Sequence, residues 1–158
     1  MRSLTPKAIS CGETPERTEG RIQIMQKGSF VFDSHALLKL FQKEKGYEKV
    51  FHLLEDLRKT GATKYMSAIN LGEIIYSTKK EFGDQKKLEV LANIERLNFT
   101  ILPVPNNLIF RGAEYKAQYA LSYADCFALA SAVEHKATLV TGDPEFKKVE
   151  HLVEIVWI

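Results

Sequence analysis

Short apolar runs of strand character alternate along this chain with longer stretches of helical periodicity, and that alternation restricts the fold more than any other feature. Strand runs at 29–32, 64–68, 100–104, 137–141 and 152–158 are separated by helical patterns at 36–41, 47–59, 70–82, from 84 or 85 onward, 107–118 and 123–136. Strands joined through helices pair in parallel, and their two faces must both be covered. The fold class expected is therefore α/β, a three-layer α/β/α sandwich around a mostly parallel central sheet.

With 158 residues the chain has room for one domain with a full core and too little for two ordinary ones. Residues 1–26, rich in Thr, Pro, Gly, Glu and Arg with little apolar periodicity, read as a flexible tail, leaving 27–158 as the folded domain. The composition, 45% apolar and 27% charged, is that of a globular protein. A net charge of +2 carries no basic excess of the kind nucleic-acid binders often show, so any such binding rests on local patches. Cys11 and Cys126 have no metal-ligand spacing and imply a reducing compartment. No run reads as a signal peptide or a membrane span, so a cytoplasmic address is expected.

Four carboxylates stand just past apolar strand runs, in Phe30-Val31-Phe32-Asp33, Asn70-Leu71-Gly72-Glu73, Ser122-Tyr123-Ala124-Asp125 and Leu139-Val140-Thr141-Gly142-Asp143. Each has an ordinary explanation. Asp33 is a good helix N-cap, Asn70 with Glu73 and Ser122 with Asp125 have the spacing of capping boxes, and Asp143 before Pro144 suits a turn. Their joint position is less ordinary. In an open parallel sheet the carboxyl ends of the strands face one crevice, so all four acids fall on one edge. Anions gathered there repel unless a cation neutralises them, which points to a divalent metal.

The sequence resembles the PIN-domain family, and most of all the VapC-type toxins of toxin–antitoxin pairs. The resemblance rests on Val31-Phe32-Asp33-Ser34, on Ser67 with Asn70-Leu71-Gly72-Glu73, on Leu121-Ser122-Tyr123-Ala124-Asp125-Cys126-Phe127-Ala128-Leu129-Ala130, and on Leu139-Val140-Thr141-Gly142-Asp143-Pro144-Glu145-Phe146. It covers about residues 27–158. What it implies is a divalent-metal-dependent endoribonuclease, the toxin of a toxin–antitoxin pair. Asp33, Glu73, Asp125 and Asp143 would be the catalytic and metal-binding acids, with Ser34, Asn70 and Thr141 in support. Oxygen ligands without His or Cys suit Mg2+ or Mn2+, which can acidify water and neutralise charge on a phosphate.

Among the basic residues, Arg111 and Lys116 stand nearest the third motif and are the substrate-binding candidates. Lys39, Lys43, Lys45, Lys79, Lys80, Lys86 and Lys87 read as solvated helix faces interleaved with acids. The histidines are scattered, and only His35 lies close to a motif acid. That residue also stands where a haloacid-dehalogenase phosphatase would need a second Asp, and the acidic pair and late Lys of a receiver domain are missing. The alternatives are a PIN-like module that binds RNA or protein without catalysis, or an RNA-processing nuclease outside a toxin–antitoxin pair. All four family acids are present, which favours the active nuclease. Phe51, Leu54, Ile75 and Tyr76 exceed what one core face per helix requires, and the resemblance implies a homodimer and a small antitoxin protein as partners.

Overall fold

The computed structural model describes residues 28–158, so the expected tail at 1–26 lies outside the described residues. Five parallel strands form the sheet: β1 (Ser29–Phe32), β2 (Thr63–Ser67), β3 (Thr100–Leu102), β4 (Thr138–Thr141) and β5 (Ile155–Trp157). Their order is β3-β2-β1-β4-β5. The connections are helical: α1 (Ser34–Gln42) and α2 (Tyr47–Thr60) follow β1, and α3 (Ala68–Arg96) follows β2. After β3 come α4 (Asn106–Gln118) and α5 (Tyr123–His135), and a 3-10 helix at Pro144–Val149 leads to β5.

Strand side chains alternate between faces, and the core divides accordingly. Phe30 and Phe32 of β1, Met66 of β2 and Val140 of β4 pack with Leu37 of α1, Val50 and Leu57 of α2 and Ile74 of α3. Val31 and Leu139 face the other way, onto Cys126, Ala128, Leu129 and Ala132 of α5 and onto Phe146. The alanine-rich α5 is buried on nearly every side, while α4 packs outside it through Leu108 against Phe127 and Ala130. Helices therefore cover both faces, and the three-layer parallel sandwich is the architecture observed.

Several boundaries differ from the sequence reading, each for a local reason. Helix α3 begins at Ala68 rather than near Asn70, because the Ser67 hydroxyl accepts from the Ile69 amide and caps it. Asn70 is thus inside the first turn and Glu73 in the second, and the capping box expected between them does not form. The break expected at Gly83 is present: its φ of 84° and ψ of −177° are non-helical, in a region open almost only to glycine, and divide α3 into two helical segments across a kink. Strand β3 ends at Leu102 because Pro103 and Pro105 have no amide to extend the ladder. Among the described residues, no helix is long and apolar enough to cross a membrane.

Candidate active site

The strand order places a switch point at the middle of the sheet. From β1 the chain proceeds to β2 and β3 on one side, then returns to β4 on the other. Ligands bind such sheets outside the carboxyl ends of the strands flanking the switch, here β1 and β4. Residue Asp33 follows β1 directly, and its amide donates to the Val140 carbonyl at 3.2 Å, so its position is fixed by the ladder. One carboxylate oxygen caps α1 by accepting from the Ala36 amide at 2.7 Å, and the other accepts from the Thr141 hydroxyl at 2.5 Å. The Thr141 oxygen in turn accepts from the Asp143 amide at 3.0 Å. One hydroxyl thereby ties the acid after β1 to the loop after β4.

From the third motif, Asp125 enters at the first turn of α5. Ser122 is the N-cap; its oxygen accepts from the Asp125 amide at 3.1 Å, and its hydroxyl donates to the Asp125 carboxylate at 2.6 Å. The side-chain oxygens of Asp125, Asp143 and Glu145 lie within 4.8 Å of one another. Glu73 reaches in from α3 and accepts from the Ser34 hydroxyl. Asn70 is fully buried; it donates to the Ala124 carbonyl at 3.3 Å, joining α3 to the start of α5, and its own side-chain oxygen has no partner.

Burial grades the acids. Asp33 is fully buried and Asp125 is 7% exposed. Glu73 and Asp143 are half-buried, and Glu145 is at the surface. Removal from water pushes the Asp33 carboxyl up to about 7, against the lowering effect of its Thr141 and Ala36 hydrogen bonds, with repulsion from Asp125 and Asp143 adding to the rise. Burial likewise raises Asp125; its Ser122 hydrogen bonds oppose this, while Asp143 and Glu73 repel it. Among the described residues, no ion pair includes any of these five acids. The crevice is a concentration of negative charge, and among the described residues no basic side chain is bonded to it.

One acid in this group escaped sequence reasoning. Glu145 follows Pro144 in a 3-10 turn and follows no strand, so the strand-end pattern could not single it out. Its amide bonds the Asp143 carboxylate at 2.9 Å, and the turn carries its side chain back beside Asp125. Ser122 had a signal, the capping-box spacing, that spoke only of its amide-capping role. The basic candidates come out differently. Lys116 donates to the Leu121 carbonyl at 2.6 Å and braces the entry to α5, so its ammonium is committed within the chain. Arg111 is exposed on α4. Lys79 and Lys87 pair with Asp84, and Lys86 pairs with Glu89, as solvated faces do. Three of the histidines meet aromatic rings instead of the acids: His52 with Phe51, His135 with Tyr65 and His151 with Tyr119.

The chain is a parallel α/β domain with a cluster of acids at the switch point of its sheet. The family model of the PIN domain matches residues 30–152, and the chain belongs to that family. None of the curated proteins matches it by sequence. Solved structures similar to it include VapBC2 from Rickettsia felis bound to a DNA fragment from their promoter, with TM-score 0.67 and 20% identity over 81% of this chain and 97% of that one. FitAcB from Neisseria gonorrhoeae gives TM-score 0.60 and 21% identity over 80% and 95%. Mycobacterium tuberculosis VapC20, described as a sarcin-ricin loop cleaving toxin, gives 0.62 and 14% over 75% and 93%.

Proposed function

We propose that this chain is a Mg2+- or Mn2+-dependent endoribonuclease and the toxin of a toxin–antitoxin pair. The observation that carries the reading is the grouping of Asp125, Asp143 and Glu145 at one sheet edge, with buried Asp33 tied to the same loop through Thr141, Glu73 near enough to repel Asp125, and, among the described residues, no ion pair to any of them. A buried carboxylate without a counter-charge is destabilising by several kcal/mol in ionised form, so a fold that retains two of them, Asp33 and Asp125, at one sheet edge has a use for the charge. The donor set is all oxygen, which fits Mg2+ or Mn2+ and does not favour zinc. Asp33, Asp125, Asp143 and Glu73 would hold the ion, and Glu145 joins the same group. When bound, the ion would supply charge neutralisation at the scissile phosphate and a more acidic water.

The chain's own groups do the positioning. Thr141 fixes the rotamer of Asp33 and the Asp143 backbone together, Ser122 orients Asp125, and Ser34 restrains Glu73. Asn70 sets α3 against the first turn of α5, which controls how far Asp125 stands from Glu73. A cleft at a sheet edge receives an exposed single strand or loop more readily than the deep groove of an A-form duplex. Toxin membership and the partners, a homodimer and a small antitoxin, draw support from the structural neighbours, among them a toxin–antitoxin complex from Klebsiella pneumoniae at 23% identity.

The test is incubation of the protein with total RNA and mapping of the ends. Hydrolysis by water, without participation of the 2′-hydroxyl, leaves a 5′-phosphate and a 3′-hydroxyl. Cleavage should vanish with EDTA and in Asp33→Asn. Ends bearing a 2′,3′-cyclic phosphate, or cleavage that survives both controls, would overturn the chemistry.

A further inference from the structure

A basic side chain reaches the rim of the crevice from α1, from a residue whose sequence context reads as a solvated face. Lys39 is half-buried, and a Cβ added at Gly142 would stand 3.0 Å from its Nζ. The same point is 3.1 Å from Nδ1 and Cε1 of His35, one helical turn earlier. Side chains on a helix lean toward its N-terminus, and the N-cap of α1 is Asp33, so Lys39 leans back toward the sheet edge. Gly142 lies between Thr141 and Asp143, and its missing side chain is the space in which the ammonium and the imidazole sit. His35 Nδ1 is buried there without a hydrogen-bond partner. Among the described residues, Lys39 forms no ion pair, although Asp143 is the next residue after Gly142. An ammonium held beside a cluster of acids with its donors unused is placed for an anion that arrives from outside.

We propose that Lys39, seated over Gly142 at the rim of the acidic crevice, grips a backbone phosphate of the RNA next to the one that is cut. This rests on the ribonuclease reading and deepens it. The acids repel an approaching polyanion, and a fixed cation at their rim supplies attraction without neutralising the carboxylates that would hold the metal. His35 packs against the same glycine and limits the arc through which the lysine stem swings.

The test measures binding of a labelled single-stranded RNA by anisotropy across a salt series, using the full chain in EDTA to suppress cleavage. Lys39→Met keeps the stem and removes the charge; Lys39→Gln guards against a packing defect, and thermal melts verify folding. Each phosphate contact to a single strand contributes about 0.7 to the slope of log K against log salt. Both variants should bind several-fold more weakly whatever the RNA sequence and lose about 0.7 of that slope, while Lys39→Arg restores it. Lys136→Met, at the C-terminus of α5, should leave the slope unchanged. If Lys39 served only to offset the acids, both charge-removing variants would melt lower and leave the slope intact, which would overturn the proposal, as would a parent protein that binds no RNA. Cleavage by the chain in Mg2+ is scored separately, so loss of activity with a Lys39-dependent slope would sink the nuclease reading alone.

Discussion

At the scale of single residues, Asp33 holds two roles that sequence inspection sets against each other. It caps α1 through the Ala36 amide, and it is the most deeply buried acid of the crevice. Substitutions separate the roles. Asp33→Asn keeps a good cap and removes the charge, whereas Asp33→Ala removes both and should lower stability by about 1 kcal/mol relative to Asn. The pH dependence has a definite sign. Because burial raises the folded-state value to about 7 from an ordinary carboxylate value of 3.8, the folded protein holds a proton that the unfolded chain has lost between those pH values. Metal-free protein should therefore be most stable at the acid end of that window and lose stability as pH rises toward 7. Asp33→Asn should flatten this slope and melt at an equal or higher temperature at pH 8 in EDTA. Melts at pH 5.5 and pH 8 check it; a wild-type protein that gains stability over this range, or an Asn variant that melts clearly lower at pH 8, would show that Asp33 is chiefly structural.

At the scale of elements, legibility followed the locality of the signal. The strand β1 and its acid could be read because a four-residue apolar run followed by an N-cap residue is a local pattern, and Ser122 announced α5 in the same way. The start of α3 differs from the sequence expectation because two capping residues, Ser67 and Asn70, compete within four positions, and only the end of β2 decides between them. Glu145 and Lys39 were not singled out because their places depend on a turn and on contact with a distant glycine, neither of which has a periodic signature. The break at Gly83 was legible, and its cause is testable. Its backbone angles suit almost no other residue, so Gly83→Ala should destabilise the chain by roughly 1–3 kcal/mol even though no neighbouring atom would obstruct the new methyl group. Urea denaturation reads this directly, and an unchanged midpoint would mean the two halves of α3 straighten without penalty.

At the scale of the whole molecule, the three-layer sheet was legible because strand and helix periods alternate so regularly, whereas the surface was legible only in part. Leu54, read as surplus apolar surface, belongs to the core, and Ile75 is half-buried. Phe51 is 50% exposed and Tyr76 60%, and Phe110 on α4 reaches 72%, so large apolar side chains remain at the surface on three helices. A homodimer should accordingly appear in sedimentation at tens of micromolar, and a monomer alone at that concentration would contradict it. On the proposed function, the acids at the β1–β4 switch point form one cation site. Calorimetric titration of Mn2+ into the metal-stripped chain at pH 8 tests this most directly. The prediction is saturable binding that is lost in both Asp33→Asn and Asp125→Asn. Binding unaffected by either substitution, or no binding in the wild-type chain, would contradict it.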